Sequence, residues 1–133
     1  MTIRRVTSPA APEPPPERWS NCLVIDGIAY VAGMVARGDD VKDLDGKDEY
    51  EQAKIIFGKI KALLEAAGGT MADVVKIIVY VTDIKNNTRV WAARREFFKG
   101  NFPVSTLVQV AALASPEILV EIEAIAHIGK GAR

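Results

Sequence analysis

Apolar residues fall into blocks whose spacing changes along the chain. Leu23, Val24 and Ile25 precede Asp26-Gly27, and Ile28 to Val31 follow it. Asp-Gly between apolar runs favours a tight reversal, because both central turn residues take positive φ. Trp19 to Met34 therefore reads as two strands joined as a hairpin. Gly33 breaks the pattern, and the polar stretch Arg37 to Lys47, with Gly38 and Gly46, reads as a loop. Ala53, Ile56, Phe57, Ile60, Leu63, Leu64 and Ala67 then recur at helical spacing and predict a helix over about Lys47–Ala67. Asp48, Glu49 and Glu51 suit the positive end of its dipole, and Gly68-Gly69 supplies the stop.

Thr70 to Asp73 reads as one capped turn, and the β-branched run Val74 to Thr82 as a strand. A second helix is expected from about Arg89 to Lys99, with Val90, Trp91, Arg94, Phe97 and Phe98 on its inner side. Strands are expected from Pro103 to Leu113 and from Ile118 to Ile128, around the turn Ala114-Ser115-Pro116. Hairpins with inserted helices indicate an α+β fold, a mixed sheet with two helices on one face. Residues 1–17 carry Pro9, Pro12, Pro14, Pro15 and Pro16, so they read as an extended, partly mobile lead-in to a single domain over 18–133.

Side chains alternate between faces along a strand. In the last strand Ile118, Val120, Ile122, Ala124, Ala126 and Ile128 form an apolar face for the helices. Leu119, Glu121, Glu123, Ile125 and His127 form the other. In the preceding strand Val104, Thr106, Val108 and Val110 are assigned to the core face. Ser105, Leu107, Gln109, Ala111 and Leu113 are assigned to the second face. That second face mixes leucines with two carboxylates and a histidine. Two readings stay open: a solvated sheet face, or an oligomer interface whose rim forms a ligand cleft. Leu107, Leu113, Leu119 and Ile125 favour the interface.

Composition narrows the function. Of 133 residues, 17 Lys and Arg balance 17 Asp and Glu. A neutral chain lacks the basic excess that drives nucleic-acid or anionic-membrane binding, and low net charge favours association. The single cysteine, Cys22, excludes an internal disulfide and a cysteine metal motif. With no long apolar run and no apolar stretch behind Arg4 and Arg5, the sequence suggests a cytoplasmic protein with no membrane partner.

An ordered set of segments carries a resemblance. It runs through Trp19-Ser20-Asn21-Cys22, Tyr30-Val31-Ala32-Gly33 and Leu63-Leu64-Glu65-Ala66-Ala67-Gly68. It continues in Asp73-Val74-Val75-Lys76, Val79-Tyr80-Val81-Thr82-Asp83, Phe102-Pro103 and Glu121-Ile122-Glu123-Ala124-Ile125-Ala126. Together they resemble the RidA (YjgF-type) family of enamine and imine deaminases, some members of which carry the label L-PSP endoribonuclease or translation inhibitor. The resemblance spans about residues 17–128. It implies a chorismate mutase-like fold and a homotrimer with small-molecule clefts between subunits. It also implies cofactor-free hydrolysis of amino-acid-derived imines and enamines.

Carried over residue by residue, the resemblance implies that Glu121 positions or activates water and that Gly33 is the glycine after the second strand. Ser105 falls where relatives have an arginine that forks onto the substrate carboxylate. Trp19 falls at a tyrosine position, Trp91 at an asparagine position and Leu107 at a frequent cysteine position. A charge-assisted hydrogen bond is worth about 1.5–3 kcal/mol, so serine in place of arginine weakens carboxylate binding. Two tryptophans would make the cleft more aromatic, unless they pack in the core or an interface. Arg37, Arg94 and Arg95 are candidate compensating cations, although solvated faces account for each. His127 lies roughly 20 Å along the strand from Glu121 and reads as structural. Cys22 reads as a buried thiol. The alternatives are a non-catalytic trimer that binds a small ligand and, more weakly supported, a ribonuclease or translation inhibitor.

Overall fold

The structure is a computed structural model that describes residues 2–131. Arg4–Arg5 (β1) is followed by the hairpin Cys22–Ile25 (β2) and Ile28–Met34 (β3). Asp26 and Gly27 both have positive φ at its turn, as the Asp-Gly pair predicts. Helix α1 spans Glu49–Ala66, and Asp48 caps it by accepting a hydrogen bond from the Glu51 amide. Strand β4 covers Val74–Val81, α2 Asn87–Phe97, β5 Val104–Gln109 and β6 Val120–His127. Helix α2 begins two residues before the expected Arg89. The Asp83 side chain caps the 3-10 turn Ile84–Asn86, which runs directly into the helix.

The six strands form one sheet in the order β1-β2-β3-β6-β4-β5. Only β4 and β5 are parallel, and α2 makes the crossover that parallel neighbours require. Helix α1 lies on one face of the sheet, against β3 and β6, and α2 packs alongside α1, giving the α+β layering expected from the pattern. Ile56, Phe57, Ile60, Leu63 and Leu64 of α1 are buried with Val31, Val79, Ile122 and Ala124 of the sheet. The Phe57 ring meets those of Phe97 and Phe98 at 5.4 and 5.6 Å. Strand β6, between β3 and β4, has the faces its alternation predicts: Val120, Ile122, Ala124 and Ala126 are buried.

Two expectations need correction. Within the expected lead-in, the described residues 2–17 do not stand apart from the domain. Arg4 pairs with Val24 and Arg5 with Leu23, Val6 and Ala11 are buried, and the Asn21 amide donates to the Ala11 and Pro12 carbonyls. A two-residue edge strand leaves no periodicity to read. The second correction concerns β5, which ends at Gln109 and has its faces reversed. Its parallel register sets Ser105, Leu107 and Gln109 beside the buried face of β4, opposite Ile77, Val79 and Val81. Val104, Thr106 and Val108 therefore lie on the open face. Both faces of β5 carry apolar residues, so alternation alone could not orient it.

The open face changes accordingly. Leu107, Leu113 and Leu119 pack against the core and leave it. Their place is taken by Tyr30, Val104 and Val108, which are 46%, 66% and 40% exposed. Ile28, Ile78 and Ile125 are partly buried beside them. One side of the sheet thus presents an apolar field to solvent in the single chain.

Candidate functional site

Glu121 stands on that open face. Strand pairing sets it opposite Tyr80, and an irregularity in β3 between Val31 and Met34 brings Gly33 against it. A Cβ at residue 33 would collide with Glu121 Oε2 and lie 2.9 Å from its Cδ. Glycine is therefore what gives this carboxylate its place. Burial pushes the Glu121 carboxyl above the usual range, and the charge of Glu123 adds to the effect. Glu123 accepts a 2.5 Å hydrogen bond from the Tyr80 hydroxyl, which raises the tyrosine in turn. Glu121 has no such donor among the described residues. It is a partly desolvated carboxylate, able to accept a proton and to orient a water molecule.

On the other side of Gly33 lies a surface cleft of about 320 Å³, lined by Trp19, Asn21, Gly33, Arg37, Asp39 and Lys59 among others. Trp19 is exposed, not core, and its indole N–H donates to Asn21 Oδ1 at 3.2 Å. Lys59 donates to the carbonyls of Val35 and Arg37 at 2.8 and 2.7 Å and so ties the loop after β3 to α1. Burial lowers the Lys59 ammonium, as does the charge of Arg37.

A second group forms at the sheet edge. Arg94 of α2 donates from Nη1 to Ser105 Oγ of β5 at 3.1 Å. Trp91 lies one turn earlier on the helix and is also exposed. Burial and the neighbouring Arg95 lower the Arg94 guanidinium. Leu107 faces the core from the same strand.

The structure joins Glu121 to Gly33, and Gly33 to Trp19. It joins Ser105 to Arg94. It does not bring the two groups together within one chain, which corrects the expectation that Ser105 and Leu107 share Glu121's face. By strand spacing, Ser105 and Glu121 are on the order of 14 Å apart and on opposite faces. His127 is exposed at the far end of β6. Cys22 is buried and free, with its thiol raised by that burial and only partly lowered by Arg4. Among the described residues, no three His, Cys, Asp or Glu side chains cluster for a metal ion, and no helix is long and apolar enough to cross a membrane.

The family profile described as endoribonuclease L-PSP matches residues 9–128. The chain belongs to this RidA/YjgF/L-PSP family. Solved structures agree with the assignment. A Pseudomonas aeruginosa protein of unknown function is 41% identical, with 96% of this chain and 94% of that one covered and a TM-score of 0.89. A Yersinia pestis protein of the conserved Rid family is 31% identical, with coverage of 96% and 100% and a TM-score of 0.86. RidA from an Antarctic Psychrobacter is 28% identical, with coverage of 94% and 99% and a TM-score of 0.82.

Two side chains of this Rid-family chain carry little signal in the sequence. Arg94 looked like one more solvated cation. Only the approach of β5 to α2 shows that it meets Ser105. Lys59 falls on the polar side of α1 and gave no signal. The three-residue spacing of Trp91 and Arg94 was the one available hint that these two share a flank of the helix.

Proposed function

We propose that this Rid-family protein works as a cyclic homotrimer that hydrolyses imines or enamines in clefts between subunits. The observation that carries the reading is Glu121: a carboxylate over Gly33, partly desolvated, with no donor claiming it among the described residues. The open apolar face supports the trimer, because a second copy would cover Tyr30, Ile78, Val104 and Val108. The separation of the two residue groups supports a shared cleft, with Glu121, Gly33 and Trp19 from one subunit facing Trp91 and Ser105 from the next.

In this mechanism Glu121 accepts a proton from water as the oxygen attacks the C=N carbon. A carbinolamine forms. Glu121 returns that proton to nitrogen and then carries the carbinolamine hydroxyl proton to it as well; the C–N bond breaks with its electron pair going to nitrogen, and ammonia and a carbonyl compound leave. No metal or cofactor takes part. Ser105 at the arginine position, together with two tryptophans, directs the cleft toward a more apolar substrate than a small amino-acid imine.

The test is ammonia release from imines generated in solution, 2-aminoacrylate and an aromatic amino-acid imine among them. Wild type is expected to accelerate release. Glu121→Gln is expected to lose about 10²–10⁴-fold, the usual worth of a general base. A trimer that binds these compounds without turning them over would establish the binding-protein reading instead. The 17-to-17 charge balance gives no support to RNA cleavage.

A further inference from the structure

Arg94 is a partly buried guanidinium without a carboxylate partner among the described ion pairs. The acid nearest it along α2, Glu96, is occupied by the Tyr50 hydroxyl and by Lys54. Its neighbour Arg95 repels rather than neutralises it. What Arg94 does meet is the Ser105 hydroxyl, 3.1 Å away at an exposed sheet edge. The serine oxygen accepts from Nη1, so its own proton is free to donate outward. The remaining N–H groups of the guanidinium and the serine O–H form a set of donors with no acceptor among the described residues. Such a set suits a planar anion that takes two hydrogen bonds side by side. Trp91 and Arg94 each follow a buried residue of the helix, Val90 and Ala93, and so lie on the same flank of α2. An exposed indole beside the donors offers a surface for an apolar group attached to the anion.

We propose that Arg94 and Ser105 together anchor the carboxylate of an apolar organic acid, with Trp91 flanking its hydrophobic part. The cation is then carried by the helix rather than by the strand. The ligand sits displaced toward α2, and Ser105 is a donor in its own right rather than a lost contact. The choice of an organic acid rests on the imine-hydrolase reading, in which that acid is the carboxylate of the substrate.

The probe is benzoate, compared with benzamide, which has nearly the same shape but no charge. Titration of the full chain by calorimetry or NMR should show saturable benzoate binding that exceeds benzamide binding. Arg94→Gln should weaken benzoate about tenfold to a hundredfold, the worth of charge-assisted hydrogen bonds, and bring the benzoate-to-benzamide ratio close to one. Arg94→Lys, which keeps the charge and loses the fork, should fall between. Ser105→Ala should cost benzoate several-fold. A merely structural role for Arg94 would leave the ratio unchanged. The proposal is overturned if wild type does not bind benzoate, if benzamide binds as well, or if Arg94→Gln has no effect on the ratio. Imine turnover measured in parallel separates the two claims. Arg94-dependent benzoate binding with no turnover removes the hydrolase and keeps the anchor. Turnover whose KM ignores Arg94→Gln removes the anchor and keeps the hydrolase.

Discussion

At the residue scale, Glu121 is held where its charge is costly. Its carboxyl is raised in the folded chain, first by burial and then by Glu123. A raised folded value means that the folded state favours the protonated form. The stability this gives is fully present below the unfolded value, about 4.3 for glutamate, and is lost as pH rises through the folded value. Glu121→Gln should therefore melt at a higher temperature than wild type near pH 7, and the gap should close below about pH 4. Thermal melts at both pH values check this, and a gap that does not change with pH would contradict it. Glu121 itself was legible from the last strand, because alternation put it on the face away from the core. Its closeness to Gly33 was not, since it depends on an irregular pairing between β3 and β6 that leaves no periodic trace.

At the scale of elements, Gln52 shows how α1 is fixed to the sheet. Its amide is fully buried. It donates to the Lys47 and Glu117 carbonyls at 3.1 and 3.0 Å and accepts from the Leu119 amide at 2.9 Å. It thereby pins the start of the helix to the segment that leads into β6 and sets the position of the strand bearing Glu121. Gln52→Ala removes the side-chain partner of three backbone groups, the Lys47 and Glu117 carbonyls and the Leu119 amide, each costing up to about 1–3 kcal/mol where water does not reach it. The expected loss in urea unfolding is about 3 kcal/mol after partial relaxation; a loss under about 1 kcal/mol would show that water replaces the amide. The apolar stripe predicted α1 well. Nothing in it singled out a polar residue as the helix's tether. Strand β5 was misoriented for a related reason: its face is chosen by pairing with β4, not by its own composition.

At the scale of the molecule, the open side of the sheet is the surface on which the proposed trimer would close. Tyr30, Val104 and Val108 are exposed in the single chain, while the helices already cover the other side. Replacing Val104 and Ile78 by glutamate should leave the monomer folded, because neither residue belongs to the fully buried core. It should convert a trimer into monomers by burying like charges at a closed interface. Light scattering coupled to size exclusion reads the mass, and circular dichroism reads the fold. A wild-type monomer would remove the intersubunit cleft, and with it the meeting of Glu121 and the Arg94–Ser105 pair.

Local patterns along the chain suffice for the hairpin at Asp26-Gly27, the stripe of α1, the faces of β6 and the family. These rest on short-range rules: turn dihedrals, the helical repeat and strand alternation, with the ordered motifs built on them. Tertiary structure decided which way β5 faces, that Arg4 and Arg5 close the sheet edge, that glycine at 33 makes room for Glu121, and that Arg94 meets Ser105. Each of these depends on the register between segments far apart in the chain. Register is fixed by packing and hydrogen bonding across the sheet, and no local pattern of hydrophobic and polar residues encodes it.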